Sequence, residues 1–135
     1  MKESLDQSWI GEDEIYKENI LDHFRNPHNK TILKTYTHKG ESINPLCGDQ
    51  IKIYLKIEDE IIKEVAFEGK GCAISIASSS MLTDAIKEKK VQEVKKITKE
   101  EMIHMLGIPL GVVRLKCGLL ALNTLKKMLQ DDKNE

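Results

Sequence analysis

The chain has 135 residues, the length of one ordinary domain that can bury a core without disulfides. Its 21 Lys and Arg residues nearly cancel its 22 Asp and Glu residues, and this balance argues against a nucleic-acid-binding protein, in which a basic excess is typical. The sequence contains neither the apolar core of a secretory signal nor the roughly 18 apolar residues of a membrane helix. We therefore expect a cytoplasmic protein with reduced thiols that binds neither nucleic acid nor membrane.

The first half of the sequence predicts one helix and three strands. The helix begins at Asp13 and ends before Pro27, which cannot continue it. A short strand is predicted over residues 35–37. Alternating apolar residues then predict two longer strands, over 51–57 and 61–68, and their short connection predicts that they pair in antiparallel orientation.

The second half of the sequence predicts three helices. Apolar residues at helical spacing predict the first over 72–89, directly after a Gly-Lys-Gly segment. Thr98 and Glu101 have the spacing of a capping box at the start of a second, short helix. The lysine-rich run KEKKVQEVKK lies between these two helices and is predicted to be a solvated surface. The last helix is predicted over 117–129.

Together these elements predict a single α+β domain over residues 13–129. Its strands form a small three-stranded antiparallel sheet that packs with about four to five helices. Residues 1–12 and 130–135 are predicted to be a flexible leader and a flexible tail, because both are polar and lack apolar periodicity.

The cysteines Cys47, Cys72 and Cys117 are odd in number and form no CxxC pair, so they cannot make a closed disulfide framework. Each lies at a predicted junction beside a glycine, whose missing side chain lets the backbone approach a bound group. Cys72 and Cys117 are predicted to open helices, where the helix dipole favours the thiolate, and Lys116 adds a positive charge beside Cys117. Asp49 adds a hard oxygen donor, which gives a mixed ligand set for iron or zinc. Buried structural cysteines are the alternative interpretation.

The strings NPLCGD, GKGCAISIASSS and RLKC surround the three cysteines in this order, and IYKENILDHFRNPHNK precedes them. Together they closely resemble the iron–sulfur cluster scaffold family of IscU, SufU and the NifU N-terminal domain, over residues 13–129. The resemblance implies a compact α+β fold in which Cys47, Asp49, Cys72 and Cys117 gather at one exposed end. It further implies that this end builds a [2Fe–2S] cluster from iron and persulfide sulfur, and that the site can also hold zinc.

The resemblance also implies partners and residue roles. A pyridoxal-phosphate cysteine desulfurase delivers the persulfide to Cys117, whose thiolate is favoured by Lys116, and an electron donor reduces the persulfide. Cys47, Asp49, Cys72 and Cys117 hold the metal, and the cluster then passes to apo iron–sulfur proteins. The protein is thus expected to be a carrier and not an enzyme, acting as a monomer or as a homo-oligomer bridged by the cluster.

Two departures from the family patterns keep a second function open. IscU proteins commonly carry His immediately before the third cysteine, whereas Lys116 at this position resembles the SufU branch. SufU proteins usually carry an insertion between the second and third cysteine motifs, and this chain lacks it. The main prediction is therefore an IscU-type scaffold, and the alternative is a zinc-bearing SufU-type sulfur acceptor that stimulates a desulfurase. A thiol hydrolase or oxidoreductase is not favoured, because no catalytic base or CxxC pair accompanies a cysteine.

Overall fold

The computed structural model describes residues 17–45 and 48–133. A helix, α1, covers residues 17–25, and three strands follow it: β1 (His38–Asn44), β2 (Asp49–Glu58) and β3 (Ile61–Lys70). Four more helices complete the described chain: α2 (Ala73–Ile86), α3 (Val91–Lys95), α4 (Lys99–Leu106) and α5 (Val112–Lys133). The predicted α+β fold is confirmed, with one three-stranded antiparallel sheet and five helices in the part of the chain that the structure describes.

The sheet has the strand order β1-β2-β3, and both pairs are antiparallel. The predicted pairing of the two longer strands is confirmed, and the hairpin turns at Asp59 and Glu60, which both have positive φ as in a type I′ turn. The prediction of a strand over 35–37 is wrong, because β1 begins at His38. The sequence of β1, HKGESIN, has a single aliphatic residue, so pairing with β2 and contact with α5 determine its position more than any local apolar pattern.

The hydrophobic core lies between the inner face of the sheet and the helices α2 and α5. Ile51, Ile53 and Leu55 alternate along β2 and are almost fully buried, as the predicted period of two requires. Phe67 of β3 is fully buried beside them. Helix α2 is buried along most of its length, because it contacts β3, α4 and α5. The start of α2 thereby has a fixed position against the end of the sheet.

The chain leaves α2 earlier than predicted and then forms a helix that the sequence pattern does not predict. Helix α2 ends at Ile86, because Glu88 has a positive φ of 67° and donates its backbone N–H to the carbonyl of Ile62 at 2.8 Å. The lysine-rich run that follows contains α3, in which Val91 and Val94 are buried. The prediction of a solvated surface is therefore wrong only for Val91 and Val94, which hold this segment on the core, since most other residues of the run are exposed.

Helix α5 begins at Val112, before the predicted start at Cys117. Its first turn includes a hydrogen bond from the backbone N–H of Leu115 to the carbonyl of Gly111 at 2.8 Å. Cys117 therefore lies inside the helix and not at its N-terminus. Sequence pattern fails here because the preceding residues are β-branched valines and a glycine, which are weak helix formers.

The ends of the chain are described only in part. The predicted leader, residues 1–12, and the predicted helix start at Asp13 lie outside the described residues, whereas α1 does end before Pro27. At the other end, α5 continues to Lys133, into the segment predicted to be a flexible tail. None of the helices that the structure describes combines the length and the apolar character needed to cross a membrane.

The predicted capping box at the start of α4 is confirmed. Thr98 Oγ1 accepts the backbone N–H of Glu101 at 3.1 Å, and the Glu101 carboxylate accepts the backbone N–H of Thr98 at 2.8 Å. Both donors would otherwise lack an intrahelical partner at this helix end. The helix ends at Gly107, which is the C-cap and has a left-handed φ of 80°.

Removal of the capping box should produce a measurable loss of stability. Thr98→Ala takes away the side-chain acceptor of the Glu101 N–H, so we expect the free energy of unfolding to fall by about 1 kcal/mol. Urea unfolding followed by circular dichroism measures this change. Thr35→Ala is the control, because Thr35 is exposed and lies outside the helices and strands. An equal loss in both variants would show that the capping box contributes nothing.

Candidate metal-binding site

Asp49 is the first residue of β2, and it is buried, with 1% of its surface exposed. Its Oδ1 accepts a hydrogen bond from the backbone N–H of Cys72 at 3.2 Å, and its Oδ2 has no hydrogen-bond partner among the described residues. Gly71 makes this approach possible, because a Cβ at that position would collide with Asp49 Oδ1. A buried carboxylate oxygen without a partner is costly in a folded protein, and a bound cation removes that cost.

Cys72 lies where the sequence predicts it, at the start of α2, as the N-cap residue with φ −76° and ψ 169°. It is half-buried, and its Sγ lies 4.0 Å from Ser75 Oγ, at the limit of a hydrogen bond. The Ser75 hydroxyl in turn donates to the Cys72 carbonyl at 3.1 Å, which fixes the first turn of the helix. The partial positive charge of the helix end lies at this position and suits an anionic ligand atom.

Cys117 reaches the same place from α5. It is fully buried, and the side-chain amide of Asn44 donates towards its Sγ at 3.9 Å. The prediction that Cys117 opens the final helix is wrong, and the helix dipole argument does not apply to it, because α5 begins at Val112 and the dipole acts within the first turn. Lys116 is exposed to solvent whereas Cys117 faces the interior.

Three donor atoms converge from three different elements. A carboxylate oxygen of Asp49 and the Sγ atoms of Cys72 and Cys117 all lie within 4.8 Å of one another. Donors on one zinc ion, each bound at about 2.0–2.3 Å, are at most about 4.6 Å apart, so small side-chain rotations are enough to close this set around an ion. Two sulfurs and one carboxylate favour iron or zinc over calcium and magnesium, which take oxygen ligands. The donor set and the partnerless Oδ2 therefore fit a transition-metal ion.

The structure changes the expectation that four ligands gather at an exposed end. Cys47, the predicted fourth ligand, lies outside the described residues. Of the three predicted ligands that the structure describes, Asp49 and Cys117 are buried and Cys72 is half-buried. Cys72 is therefore the ligand that solvent reaches best among those the structure describes. Within the described ranges, no other group of His, Cys, Asp or Glu side chains has metal-binding geometry.

Three further residues shape the site in ways that the sequence prediction omits or misjudges. Asn44 belongs to the NPLCGD motif, and Ser75 follows Cys72 at helical spacing. The sequence therefore contains both residues beside the cysteine motifs, but it does not show that they contact sulfur. Gly118 was expected to admit a bound group, but a Cβ there would lie 3.0 Å from Leu110 and 3.1 Å from Leu106. The missing side chain of Gly118 thus serves helix packing.

Comparisons with known proteins show the family of the chain. Residues 15–134 match the family model described as NifU-like N terminal domain. The chain is similar to iron-sulfur cluster assembly scaffold protein IscU 1 of Archaeoglobus fulgidus, with 36% identity over 117 residues that cover 87% of this chain and 76% of the relative. It is also similar to the zinc-dependent sulfurtransferase SufU of Bacillus subtilis, with 35% identity over 132 residues that cover 85% of this chain and 89% of the relative.

Solved structures share the fold. FiSufU of the SUF system from Fervidobacterium islandicum AW-1 has a TM-score of 0.70 and 28% identity, covering 83% of this chain and 94% of its own. The N-terminal part of a NifU-like protein from Brucella abortus has a TM-score of 0.75 and 23% identity, covering 91% and 97%, and it supports the fold alone. Because the family model spans nearly the whole sequence and two relatives exceed 30% identity, the chain belongs to the NifU-like N-terminal domain family of IscU and SufU proteins.

Proposed function

We propose that the chain is an iron–sulfur cluster assembly scaffold of the IscU type. It accepts persulfide sulfur from a cysteine desulfurase, assembles a labile [2Fe–2S] cluster with iron, and transfers this cluster to apoproteins. One observation carries the proposal, which is the convergence of donor atoms from Asp49, Cys72 and Cys117 within 4.8 Å. The similarity to a relative named as a cluster assembly scaffold supports it. The cluster is the cargo of the protein, so the site has both to hold it and to release it.

Iron(II) binds first in this scheme. Asp49 offers Oδ2, which has no hydrogen-bond partner among the described residues, and Cys72 offers the more accessible of the two described thiols. Cys47 joins them as the third ligand of this first iron, and Cys117 completes the set. Lys116 is no ligand when protonated, because an ammonium group has no lone pair. The proposed ligands of the cluster are thus three cysteines and one carboxylate.

Cys117 is the proposed persulfide acceptor. A thiolate at Cys117 attacks the outer sulfur of the desulfurase persulfide, takes that sulfur and leaves the desulfurase cysteine as a thiolate. Two electrons and one proton from the electron donor then regenerate the Cys117 thiolate and release hydrosulfide for bridging the irons. Because Cys117 is fully buried, the first step requires local opening around α5. Lys116, exposed beside it, offers a positive charge to the incoming persulfide anion.

Asp49 is proposed to make the cluster labile. A carboxylate is a harder ligand than a thiolate and binds cluster iron less tightly, so exchange at this position is easier. A protein that delivers its cargo needs one such weak position. The chain accordingly acts as a carrier and not as an enzyme, since the group it forms remains bound until an apoprotein takes it.

The proposed function requires three kinds of partner. A pyridoxal-phosphate cysteine desulfurase supplies the sulfur, an electron donor reduces the persulfide, and apo iron–sulfur proteins receive the cluster. We assign this chemistry to the cytoplasm, where thiols stay reduced. A monomer can supply all four ligands from one chain, and a homo-oligomer can share the cluster between chains.

A zinc-bearing sulfur acceptor of the SufU type is the second candidate function, and Lys116 favours it, as does the similarity to a zinc-dependent SufU. Alignment lengths favour the scaffold. The alignment to SufU is 132 residues long, which is longer than the 85% of this 135-residue chain that it covers. SufU therefore carries additional residues within the aligned region. The alignment to IscU 1 spans 117 residues and covers 87% of this chain without such an excess.

Removal of the Asp49 carboxylate should lengthen the lifetime of the cluster. After anaerobic reconstitution, we expect Asp49→Ala to lose its visible cluster absorbance several-fold more slowly than the parent protein when a chelator is added. Asp49→Asn separates two roles, because it keeps an oxygen acceptor for the Cys72 N–H while it removes the charge. Asp84→Asn on the exposed side of α2 is the control and should decay as the parent does. Equal decay rates in all four proteins would remove the releasing role of Asp49.

Cys117→Ser should abolish cluster assembly that depends on the desulfurase. The serine hydroxyl is nearly isosteric, so the buried position stays filled, but it cannot carry a persulfide. Mass spectrometry of the chain after incubation with desulfurase and cysteine measures the added sulfur. Cys72→Ser is the matched variant, and we expect it to accept sulfur on Cys117 while it binds iron poorly. Assembly at the parental rate in Cys117→Ser would refute the acceptor assignment.

Metal analysis of protein purified without air separates the two candidate functions. For the scaffold, we expect a brown protein that contains iron and acid-labile sulfide in equal amounts. For the sulfur acceptor, we expect a colourless protein with one zinc per chain that refuses reconstitution with iron and sulfide. The second result would overturn the proposal of a cluster scaffold.

A further inference from the structure

A second cavity lies beside the metal-binding site, and we call it the basic cavity. It has a volume of about 380 Å³ and is formed where the end of α1, the following loop, the end of β3 and the start of α2 meet. This volume is at the small end of the range for small-molecule sites in proteins. Its side-chain lining consists of three cations and three apolar residues, which are Arg25, Lys30, Lys70, Phe24, Pro27 and Ile76.

The three cations of the basic cavity share one electrostatic feature. No acidic residue lines the cavity, and within the described residues the charged groups of Arg25, Lys30 and Lys70 make no ion pair or hydrogen bond. Two lysines of β2 differ, since Lys52 and Lys56 each lie within 4.0 Å of a glutamate. Among the described residues, three positive charges around one cleft are therefore left without an ion pair, in a chain whose net charge is −1. Such a cleft concentrates anions.

The wall between the basic cavity and the metal-binding site is thin. Gly71 lines the cavity, and a Cβ at Gly71 would also collide with Asp49 Oδ1. Ile76 also lines the cavity, and its backbone N–H donates to the Cys72 carbonyl at 3.2 Å. The cavity is thus bounded by the residue before Cys72 and by the next turn of its helix. Cys72 itself does not line the cavity, and a molecule held there lies beside the first turn of α2, which Cys72 caps.

The loop that supplies Lys30 is fixed in position. Its Asn29 carbonyl accepts the backbone N–H of Phe67 at 2.9 Å, which attaches the loop to β3. The hydroxyl of Ser80 in α2 accepts the backbone N–H of His28 at 2.8 Å and lies 2.7 Å from His23 Nδ1. The cations are therefore carried on a backbone that is already ordered, and anion binding does not have to order the loop.

We propose that the basic cavity binds a small organic anion that carries carboxylates, beside the start of the helix that Cys72 caps. The cations bind the carboxylates, while the partly exposed side chain of Phe24 and the apolar side chain of Ile76 contact the carbon skeleton. Anion binding goes beyond the proposed function and does not depend on it. The step from binding to use, in which such an anion brings iron as a chelate, rests on the proposed function.

Charged and neutral alkylating reagents test the electrostatic part of the proposal on the metal-free chain. The rates of Cys72 alkylation by iodoacetate and by iodoacetamide are measured by peptide mass spectrometry. The iodoacetate rate is divided by the iodoacetamide rate, because this ratio does not depend on the reactivity and exposure of the thiol. In the variant Arg25→Gln, Lys30→Gln, Lys70→Gln we expect this ratio to fall at least about threefold at low salt. Added salt should lower the ratio in the parent and barely change it in the variant.

The matched control changes three lysines outside the basic cavity, Lys63→Gln, Lys99→Gln and Lys127→Gln, which gives the same net charge. This control should keep the parental ratio. An equal fall in both triple variants would mean that net charge alone attracts the anion, and an unchanged ratio in the cavity variant would mean that the cations do not act on Cys72. Either result overturns the proposal.

Citrate and inorganic phosphate test the class of ligand. We expect citrate to slow iodoacetamide alkylation of Cys72 with a saturable dependence in the parent and the control variant, and to have no such effect in the cavity variant. Phosphate should protect more weakly, because it has no carbon skeleton for Phe24. Equal protection by both anions would overturn the carboxylate assignment. These measurements use no iron or sulfide, so they can fail while the cluster assembly tests succeed, and the reverse also holds.

Discussion

The buried carboxylate of Asp49 is the constraint on which the rest of the site depends. Its Oδ1 connects the start of β2 to the start of α2 through the backbone N–H of Cys72, and its Oδ2 has no hydrogen-bond partner among the described residues. Removing a carboxylate from water costs on the order of several kcal/mol unless other groups or a cation compensate it. One hydrogen bond compensates one oxygen of this carboxylate, and a carboxylate oxygen of Asp49 lies within 4.8 Å of the two described sulfurs.

The two described thiols have different surroundings, and this difference follows from where each lies in its helix. Cys72 is an N-cap residue at the edge of the molecule and is half-buried, whereas Cys117 lies within α5 and is fully buried. The buried sulfur has a rigid position set by core packing, and the Asn44 amide points towards it. The accessible sulfur can meet incoming iron, so entry and retention are divided between the two cysteines in the proposed function.

How much the sequence predicts depends on how local each signal is. The strand around Ile53 and the Thr98 capping box are predictable because their patterns act over a few residues. The position of β1 and the early start of α5 are not, since both depend on long-range packing and neither has a distinct local signal. The same holds at the site. Its ligands are predictable from the motifs that contain them, but the burial of Cys117 follows from α5 lying across the sheet, which no motif encodes.

The basic cavity and the metal-binding site carry charges of opposite sign. The net charge of the chain is near zero, but its charges are unevenly placed. Gly71 lines the basic cavity and also lies against the buried carboxylate of Asp49. The three cations lower the energy of an anion in the basic cavity, while Asp49 lowers the energy of a cation in the metal-binding site. An iron ion carried by carboxylates is attracted by the first region as an anion and by the second as a cation. In the proposed use of the cavity, the ion leaves its carboxylates for the metal-binding site, where Cys72 is the more accessible of the two described sulfurs.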